Sequence, residues 1–300
     1  MDMTQNKCCR HGASLRRRRR MRRKILRSII FSCSIIAVAV FVAVGSRMIT
    51  SGDGGTNKYD VEAGNNTYDN AVIENSKISE KNKIQNNQSM LDDIMNSTQY
   101  PKQLKDLALK NEEALEFVYD YPAEHVKEHT IDLTEEASMD SVPLFVQWDK
   151  RWGYEKYSGN FFAASGCGPT TLSMVVVYLT HNRDASPLAV AKYSKEAGYS
   201  VDGSGSSWTL ISEGCRHYGV KAKTVALDES RMKAELDEGH PIVVNVGPGD
   251  FTDTGHFMVI TGYDDEGFSI NDPNSIEKSG KRWLFKNISS QIRAVWSMYV

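Results

Sequence analysis

The sequence SGCGPTT at residues 165–171 runs directly into an apolar segment, residues 172–179, and this junction predicts the start of a buried helix. Proline suits the first turn of a helix because its ring fixes φ and because an N–H there has no partner within the helix. Pro169 therefore predicts that the helix begins beside Cys167. Apolar residues recur at helical spacing and also fill most positions between, so we expect the helix to be buried nearly all round.

A thiol at the start of a helix lies at the positive end of the helix dipole, which favours the thiolate over the thiol. Gly166 and Gly168 flank Cys167, and their missing side chains are expected to leave room for a substrate. A second interpretation treats Cys167 as a small buried residue of a core helix, because free cysteines are among the most buried residues. Taken alone, this stretch is compatible with both interpretations.

A second segment, residues 255–273, predicts two strands joined by a turn, with β-forming apolar residues in both arms and Asp and Gly between them. His256 opens the first strand and Asp272 closes the second, so the hairpin brings them toward the same end of the sheet. Their separation of 16 residues is even. A loop of odd length, such as residues 265–267, places both side chains on one face, whereas an even loop places them on opposite faces. The odd loop therefore predicts an imidazole with its orienting carboxylate.

Together with the sequence VPLFVQWD at residues 142–149, these two segments resemble the C39-like peptidases, a branch of the papain-like cysteine proteases. The resemblance implies that Cys167 is the nucleophile and that His256 is the general base and acid. It also implies that Asp272 orients the imidazole and that Gln147 is the side-chain donor to the oxyanion.

The resemblance covers residues 141–300 and departs from the family pattern in two respects. In papain-like enzymes and bacteriocin-processing C39 domains, the oxyanion glutamine lies a few residues before the cysteine, where Phe161 and Phe162 stand here. Gln147 lies 20 positions upstream of Cys167, as expected in the stand-alone C39-like group. The second departure is that we expect no ATP-binding or exporter region after the peptidase segment.

The net charge of −2 hides two regions of opposite charge, because residues 1–27 carry +10 and the rest of the chain carries −12. A basic tail can be a nucleic-acid arm, but 19 uncharged residues, 28–46, follow it directly and are mainly apolar. At about 1.5 Å per residue, such a helix spans the ~30 Å core of a bilayer. We therefore expect a lipid bilayer and no nucleic acid as the partner of this region. The basic residues should lie in the cytoplasm, and the chain after Arg47 should lie outside the cell membrane.

A cleaved signal peptide is the alternative for residues 28–46, because small residues occur near the end of the run. The run is longer than a usual signal core and lacks a clear small-x-small cleavage site, which favours a single-pass signal anchor. This topology places Cys8 and Cys9 in the cytoplasm and Cys33 in the membrane. Cys167 and Cys215 are then the outer cysteines, and Cys215 lies within a helical pattern that indicates a core position and not a disulfide.

Residues 47–98 are rich in Asn, Ser, Gly, Lys and Glu with few large apolar residues, which predicts a disordered stalk. Residues 99–140 have apolar residues at helical intervals, with Asn111 as a break and cap, and predict one or two short helices. The resemblance implies that this lead-in packs on the peptidase domain, residues 141–300. A free coiled stalk is the alternative.

Capping residues and apolar runs predict helices and strands within the peptidase domain, and two glycine-rich stretches predict loops that form either walls of a cleft or plain surface. The predicted helices are 186–198, 206–219 and 228–239, the predicted strands are 219–225 and 241–246, and the predicted loops are 201–208 and 247–251. Helices come first and mainly antiparallel strands follow, which indicates an α+β fold. We expect a papain-like cysteine peptidase fold in which the nucleophile helix packs on the sheet that carries His256 and Asp272, preceded by one transmembrane helix.

We therefore predict a membrane-anchored, extracytoplasmic, C39-like cysteine peptidase that hydrolyses an amide bond of a peptide or protein through a thioester. An acyltransferase with the same thioester and an inactive module that binds peptide or cell-wall polymer are the alternatives. The complete set of Cys, His and Asp argues against the inactive module. A metal site built from Cys167, His256 and Asp272 is disfavoured because no Cys/His pair has ligand spacing, and no cofactor is predicted.

Overall fold

The computed structural model describes residues 66–300, and within its first helix it describes side chains at residue 79 and from residue 81 onward. The helices are α1 Asn66–Asn96, α2 Lys102–Lys110, α3 Leu115–Tyr119, α4 Tyr121–Glu124, α5 Thr134–Ser138, α6 Phe162–Ser165, α7 Cys167–Thr180, α8 Pro187–Glu196, α9 Thr209–Ser212, α10 Glu229–Asp237, α11 Ile276–Ser279 and α12 Phe285–Ile288. Short 3₁₀ helices lie at Glu112–Ala114, Gly214–Tyr218 and Ser289–Gln291.

The strands of the described residues form a six-stranded antiparallel sheet and two small hairpins. The strands are β1 Lys156–Tyr157, β2 Asn160–Phe161, β3 Ser200–Val201, β4 Gly205–Ser206, β5 Lys221–Thr224, β6 Ile242–Val246, β7 His256–Asp264, β8 Gly267–Asn271, β9 Arg282–Trp283 and β10 Ile292–Tyr299. The order in the large sheet is β5-β10-β6-β7-β8-β9, and β1-β2 and β3-β4 are the hairpins. The protein is therefore a mixed helix and sheet structure with an antiparallel sheet, as predicted.

Helix α7 packs on one face of the sheet, and both faces of the central strands are covered. The helix begins at Cys167, and every residue from Gly168 to Val177 is buried, as the apolar run predicts. Val243 of β6 and Phe257 of β7 share a hydrophobic cluster with α7, whereas the neighbouring Met258 packs in a second cluster behind the sheet. Side chains alternate along a strand, so these two clusters fix the register of β6 and β7 against α7.

The β7–β8 hairpin brings His256 and Asp272 to one face by a route that differs from the predicted odd loop. Asp264 pairs with Gly267, so the loop contains only two residues. Such a loop alone would put the two side chains on opposite faces. The register then shifts by one between residues 260 and 262, where a β-bulge adds one residue to β7 and restores the common face.

The helices between residues 102 and 124 pack against the segment that precedes Cys167. Leu104 of α2 and Phe117 of α3 share a hydrophobic cluster with Phe161. The fit is close, because a Cβ at Gly153 would lie 2.7 Å from the Phe117 ring. Asn111 separates the first two of these helices, as predicted, and its side chain accepts a hydrogen bond from a backbone N–H two residues later.

The structure contradicts the predicted disordered stalk over part of its length. Helix α1 spans Asn66–Asn96, whereas residues 47–65 lie outside the described residues. Met90, Leu91 and Ile94 pack against the cluster of α2 and α3, and Ile94 is completely buried. The sequence before them is polar, so composition alone predicts disorder. Anchoring one end provides a helical nucleus, after which each further residue adds one hydrogen bond.

The predicted basic tail, residues 1–27, and the predicted membrane span, residues 28–46, also lie outside the described residues. Within residues 66–300, each helix is either too short or too polar to cross a membrane.

Two predictions inside the peptidase domain are corrected by the structure. The helix predicted over residues 206–219 is instead the short α9 followed by a 3₁₀ helix, although it ends at Gly219 with a φ of 74° as expected. Glu213, with a φ of −126°, separates the two helices, and a Cβ at the next residue, Gly214, would lie 3.1 Å from the Tyr199 ring. The loop predicted at residues 201–208 contains most of the β3–β4 hairpin, whose turn passes through Gly203 with a φ of 74°.

Candidate active site

Cys167 is the first residue of α7 and is partly exposed, whereas the residues that follow it are buried. One hydrogen bond holds this end of the helix against the start of β7, and a second holds the start of β7 against β6. The Thr171 hydroxyl donates to the backbone carbonyl of Phe257 at 3.1 Å, and the Asn245 amide donates to the carbonyl of His256 at 3.2 Å. The thiol and the imidazole therefore belong to elements that are fixed to each other near the reacting atoms.

The side chains of Cys167, His256 and Asp272 lie next to one another. Nε2 of His256 lies 2.7 Å from Oδ1 of Asp272, and both side chains are buried. The imidazole also lies close enough to the Cys167 thiol for each group to shift the pKa of the other. Because Asp272 occupies Nε2, the nitrogen that faces sulfur is Nδ1. The structure thus brings together three of the four residues of the predicted site.

The pKa values of the thiol and the imidazole move in opposite directions. Burial raises the pKa of Cys167, but the contact with His256 and its positive charge, with backbone N–H groups of Phe257 and Gly168, outweigh it and lower that pKa. Burial lowers the pKa of His256, but the charge and hydrogen bond of Asp272 and the contact with Cys167 outweigh it, so that pKa is raised. These shifts favour a thiolate–imidazolium pair.

Asp272 lies just after β8 and is held by its own loop. The backbone N–H of Asn274 donates to Oδ1 of Asp272 at 2.8 Å, so one oxygen accepts from both this amide and His256. The backbone N–H of Asp272 donates to the Ser279 hydroxyl at 2.9 Å. Within residues 66–300, Oδ2 of Asp272 is buried without a hydrogen-bond partner. An ionised carboxylate in this position depends on the imidazolium for its stabilisation.

Gln147 is buried next to the same loop, and its side-chain amide is already engaged. Nε2 donates to the backbone carbonyl of Ala163 at 2.8 Å and to Oδ1 of Asn274 at 3.2 Å. The backbone N–H of Gln147 donates to the carbonyl of Pro273 at 2.7 Å. Both side-chain N–H groups therefore have acceptors. A hydrogen bond from Gln147 to an oxyanion requires the longer of the two, to Asn274, to be exchanged.

The glycines beside Cys167 have a different role from the one predicted. A Cβ at Gly168 would lie 2.5 Å from Oγ of Ser206, and a Cβ at Gly166 would lie 2.5 Å from the Phe162 ring. The missing side chains therefore make room for other parts of the chain and not for a substrate. The contact with Gly168 also brings the β3–β4 hairpin against the start of α7.

Cys167 and Cys215 are both free thiols, and Cys215 is completely buried. Burial raises the pKa of Cys215 to about 11. In the part of the chain that the structure describes, no three His, Cys, Asp or Glu side chains are grouped so that they could hold a metal ion.

Sequence reasoning missed the polar residues that support the site. Thr171 and Asn245 lie in apolar segments, where a buried polar side chain is itself a signal because it needs a hydrogen-bond partner. Asn274 lies two residues after Asp272 and contacts both Asp272 and Gln147. The sequence shows only an Asp-Pro-Asn turn there, and nothing in it points to Gln147.

Residues 139–300 match the Peptidase_C39 like family. Among solved structures, the chain resembles the peptidase domain of Streptococcus ComA, a bi-functional ABC transporter involved in a quorum-sensing pathway. That match has 20% identity and a TM-score of 0.39, and covers 53% of this chain and 96% of the other. A C39-like peptidase from Bacillus anthracis matches with 16% identity and a TM-score of 0.33, and covers 53% of this chain and 95% of the other. A comparison with curated proteins gives no match. The family match spans more than half of the sequence and includes Cys167, His256 and Asp272, so the chain belongs to the Peptidase_C39 like family.

Proposed function

We propose that the protein is a cysteine peptidase that hydrolyses an amide bond of a peptide or protein through a thioester on Cys167. One observation carries the proposal. Cys167 stands at the start of a buried helix beside His256, whose Nε2 lies 2.7 Å from Oδ1 of Asp272. A thiol, a base and an orienting carboxylate in this arrangement are the parts that nucleophilic catalysis by cysteine needs.

In the first step, the Cys167 thiolate attacks the carbonyl carbon of the substrate, and the carbonyl oxygen gains the negative charge. The lowered pKa of Cys167 increases the fraction of this thiol that is present as the reactive thiolate. The first N–H groups of α7 have no acceptor within the helix and lie at the positive end of its dipole, so they stabilise the oxyanion. Gln147 is the proposed side-chain donor, once its bond to Asn274 is exchanged for the oxyanion.

In the second step, the tetrahedral intermediate collapses, the C–N bond breaks and the amine leaves with a proton from Nδ1 of His256. Asp272 keeps the proton on Nε2 and holds the ring so that Nδ1 faces sulfur. A water molecule then transfers a proton to the neutral imidazole and attacks the thioester. The carboxylic acid product leaves, and the thiolate–imidazolium pair is restored.

The location of this chemistry is also a proposal. We infer that residues 28–46 anchor the chain in the cell membrane and that the peptidase domain lies outside the cell, because a +10 segment precedes the apolar run. Protease added to intact cells should then remove residues 100–300 and leave the basic N-terminal residues protected. Protection of residues 100–300 would contradict the topology.

The peptidase activity is tested by comparing the peptides released from cells that carry the intact protein with those from cells that carry Cys167→Ala. Mass spectrometry should find peptides that appear only with the intact protein and end in a free carboxylate. Cys215→Ala is the matched control, because it removes the other described thiol. A new amide or ester in place of the carboxylate would indicate an acyltransferase, and identical peptides from all three would contradict both activities.

A further inference from the structure

The helical lead-in contacts the loop that carries Asp272. Asn111 and Glu113, at the start of the 3₁₀ helix between α2 and α3, contact residues 274–277. These two residues lie outside the part of the chain that matches the peptidase family, residues 139–300. The contact is therefore a feature of this chain beyond the matched domain.

Glu113 binds the start of α11 with both carboxylate oxygens. One oxygen accepts a hydrogen bond from the Ser275 hydroxyl. The other accepts from the backbone N–H groups of Ile276 at 2.7 Å and Glu277 at 3.1 Å. A carboxylate that accepts from the free N–H groups at a helix start supplies the partners that the helix itself lacks. Glu113 thus fixes the segment that follows Asp272 from outside the loop.

Asn111 contacts the same loop nearer to the catalytic carboxylate. Its side-chain amide donates to the carbonyl oxygen of Asn274 at 2.9 Å and to Oδ1 of Asn274 at 3.1 Å. Asn274 in turn donates its backbone N–H to Oδ1 of Asp272, the oxygen that accepts from His256. Only one residue therefore stands between the lead-in and the carboxylate that orients the imidazole.

We propose that Asn111 and Glu113 are positioning residues, which hold the Asp272 loop so that Asp272 orients His256 toward Cys167. The inference rests on the peptidase function proposed above. It makes the lead-in a part of the catalytic apparatus, although it contributes no group that touches the substrate.

The geometry explains why such support matters. Asp272 lies beyond the last residue of β8, so the sheet no longer fixes its backbone, and a single bridge to Ser275 is the local pairing. Because Oδ2 of Asp272 has no partner within the described residues, one oxygen makes all the hydrogen bonds of this side chain. A small shift of the loop would therefore lengthen the bond to His256. Displacing a catalytic group by about 1 Å can cost on the order of 10²-fold in rate.

Two substitutions separate positioning from helix capping. Asn111→Asp keeps the oxygen that accepts from the N–H of Glu113 and so keeps the cap. It replaces the amide that donates to Asn274 by an oxygen that faces two acceptor oxygens. Glu113→Gln keeps the size of the side chain but directs an N–H₂ group toward N–H and O–H donors. Glu116→Gln is the matched control, because Glu116 is exposed on the same lead-in, three residues further on.

The measurements are kcat and KM on a cleaved peptide, and the pH dependence of iodoacetamide labelling of Cys167, read by mass spectrometry of its peptide. We expect both variants to lower kcat by about tenfold to 10²-fold with KM within about twofold, because the loop acts on the chemistry and not on substrate binding. The pH at which Cys167 becomes reactive should rise in both variants. Glu116→Gln should match the wild type in both measurements.

The outcomes separate this inference from the proposed function. Variants that are folded and keep the wild-type kcat and labelling profile would overturn the positioning role, even if their melting temperatures fall. If Glu113→Gln does not fold, Glu113→Asp replaces it, because it keeps the charge and shortens the side chain. A partial loss of kcat in Glu113→Asp would support the positioning role, and a wild-type kcat would overturn it. A wild-type enzyme that cleaves peptides and labels at low pH leaves the proposed function intact whatever the variants do. A wild-type Cys167 without reactivity at low pH would overturn the proposed function together with this inference.

Discussion

Cys167 and Cys215 lie in or against the same hydrophobic cluster, yet the pKa values of their thiols shift in opposite directions. Cys167 begins a helix and lies beside His256, which lowers its pKa despite burial. Cys215 lies in a 3₁₀ helix among apolar side chains, and burial raises its pKa to about 11. Burial acts on both thiols, and the two pKa values diverge because His256 outweighs burial at Cys167, whereas burial prevails at Cys215.

The largest expected effect comes from removing each thiol in turn. Cys167→Ala should abolish peptide cleavage, because no other group in the site can form the thioester. Cys215→Ala should keep the wild-type kcat and lower the free energy of unfolding by about 1 kcal/mol, since it deletes one buried sulfur atom. Activity assays and chemical denaturation of both variants make the comparison. Residual cleavage by purified Cys167→Ala above an uncatalysed blank would show that Cys167 is not the nucleophile.

Labelling rates should sharpen the same comparison without any substrate. At pH 6, a thiol with an ordinary pKa near 8.5 is only about 0.3% ionised, whereas a thiolate paired with imidazolium is largely ionised. Iodoacetamide should therefore modify Cys167 on the order of 10²-fold faster than a free thiol of ordinary pKa, and Cys215 should react more slowly still. Peptide mass spectrometry after limited labelling measures both sites in one sample. Equal rates at Cys167 and Cys215 would mean that His256 does not activate the thiol.

The two cysteines also show how much the sequence could predict. The start of α7 follows from local chemistry, since proline and an apolar run encode it within a few residues of Cys167. The burial of Cys215 follows from the apolar residues around it. The hydrogen bond between Asn111 and Asn274, in contrast, joins residues that are 163 positions apart, and no local pattern encodes a contact of that kind.

The hairpin is an intermediate case. Its strands and the convergence of His256 and Asp272 are predictable from alternation and turn residues, but the route is not. The two-residue loop would turn His256 and Asp272 to opposite faces of the sheet, and the β-bulge in β7 returns them to the same face. A bulge has no strong sequence signal here, so its position could not be predicted. The helix at residues 66–96 was missed because a few apolar residues near its end anchor a polar sequence.

Gln147 tests whether the start of α7 alone makes Cys167 competent. Gln147→Ala removes a proposed oxyanion donor while the backbone N–H groups of α7 remain, which predicts a loss on the order of 10²-fold in kcat with little change in KM. It also leaves the carbonyl of Ala163 without its donor, so the free energy of unfolding should fall by about 1–3 kcal/mol. Steady-state kinetics and denaturation are measured on the same preparation.

The control for Gln147 is Gln147→Glu, which keeps the size of the side chain but turns an oxygen toward the carbonyl of Ala163. Both variants lack the donor, so both should lose kcat. A Gln147→Ala enzyme with wild-type kcat and reduced stability would assign Gln147 to the support of Ala163, and the side-chain oxyanion donor would then lie elsewhere.

Asp272→Asn leaves an acceptor in place beside His256, so it should lower the maximal rate less than Gln147→Ala while having the sharpest effect on pH dependence. Activity requires Cys167 deprotonated and His256 protonated, so the lowered pKa of Cys167 sets the acid limb and the raised pKa of His256 sets the alkaline limb. Asparagine keeps a hydrogen-bond acceptor for Nε2 of His256, so kcat at neutral pH should fall only in part. The negative charge is lost, and an opposite charge in contact changes a pKa by about 1–3 units, so the alkaline limb should move down by a shift of that order.

A full pH–rate profile of kcat/KM, beside that of Asp265→Asn in the exposed turn of the same hairpin, measures the shift. An unmoved alkaline limb in Asp272→Asn would mean that the charge of Asp272 does not maintain the imidazolium, and that Cys167 differs from Cys215 through the helix start and the imidazole alone.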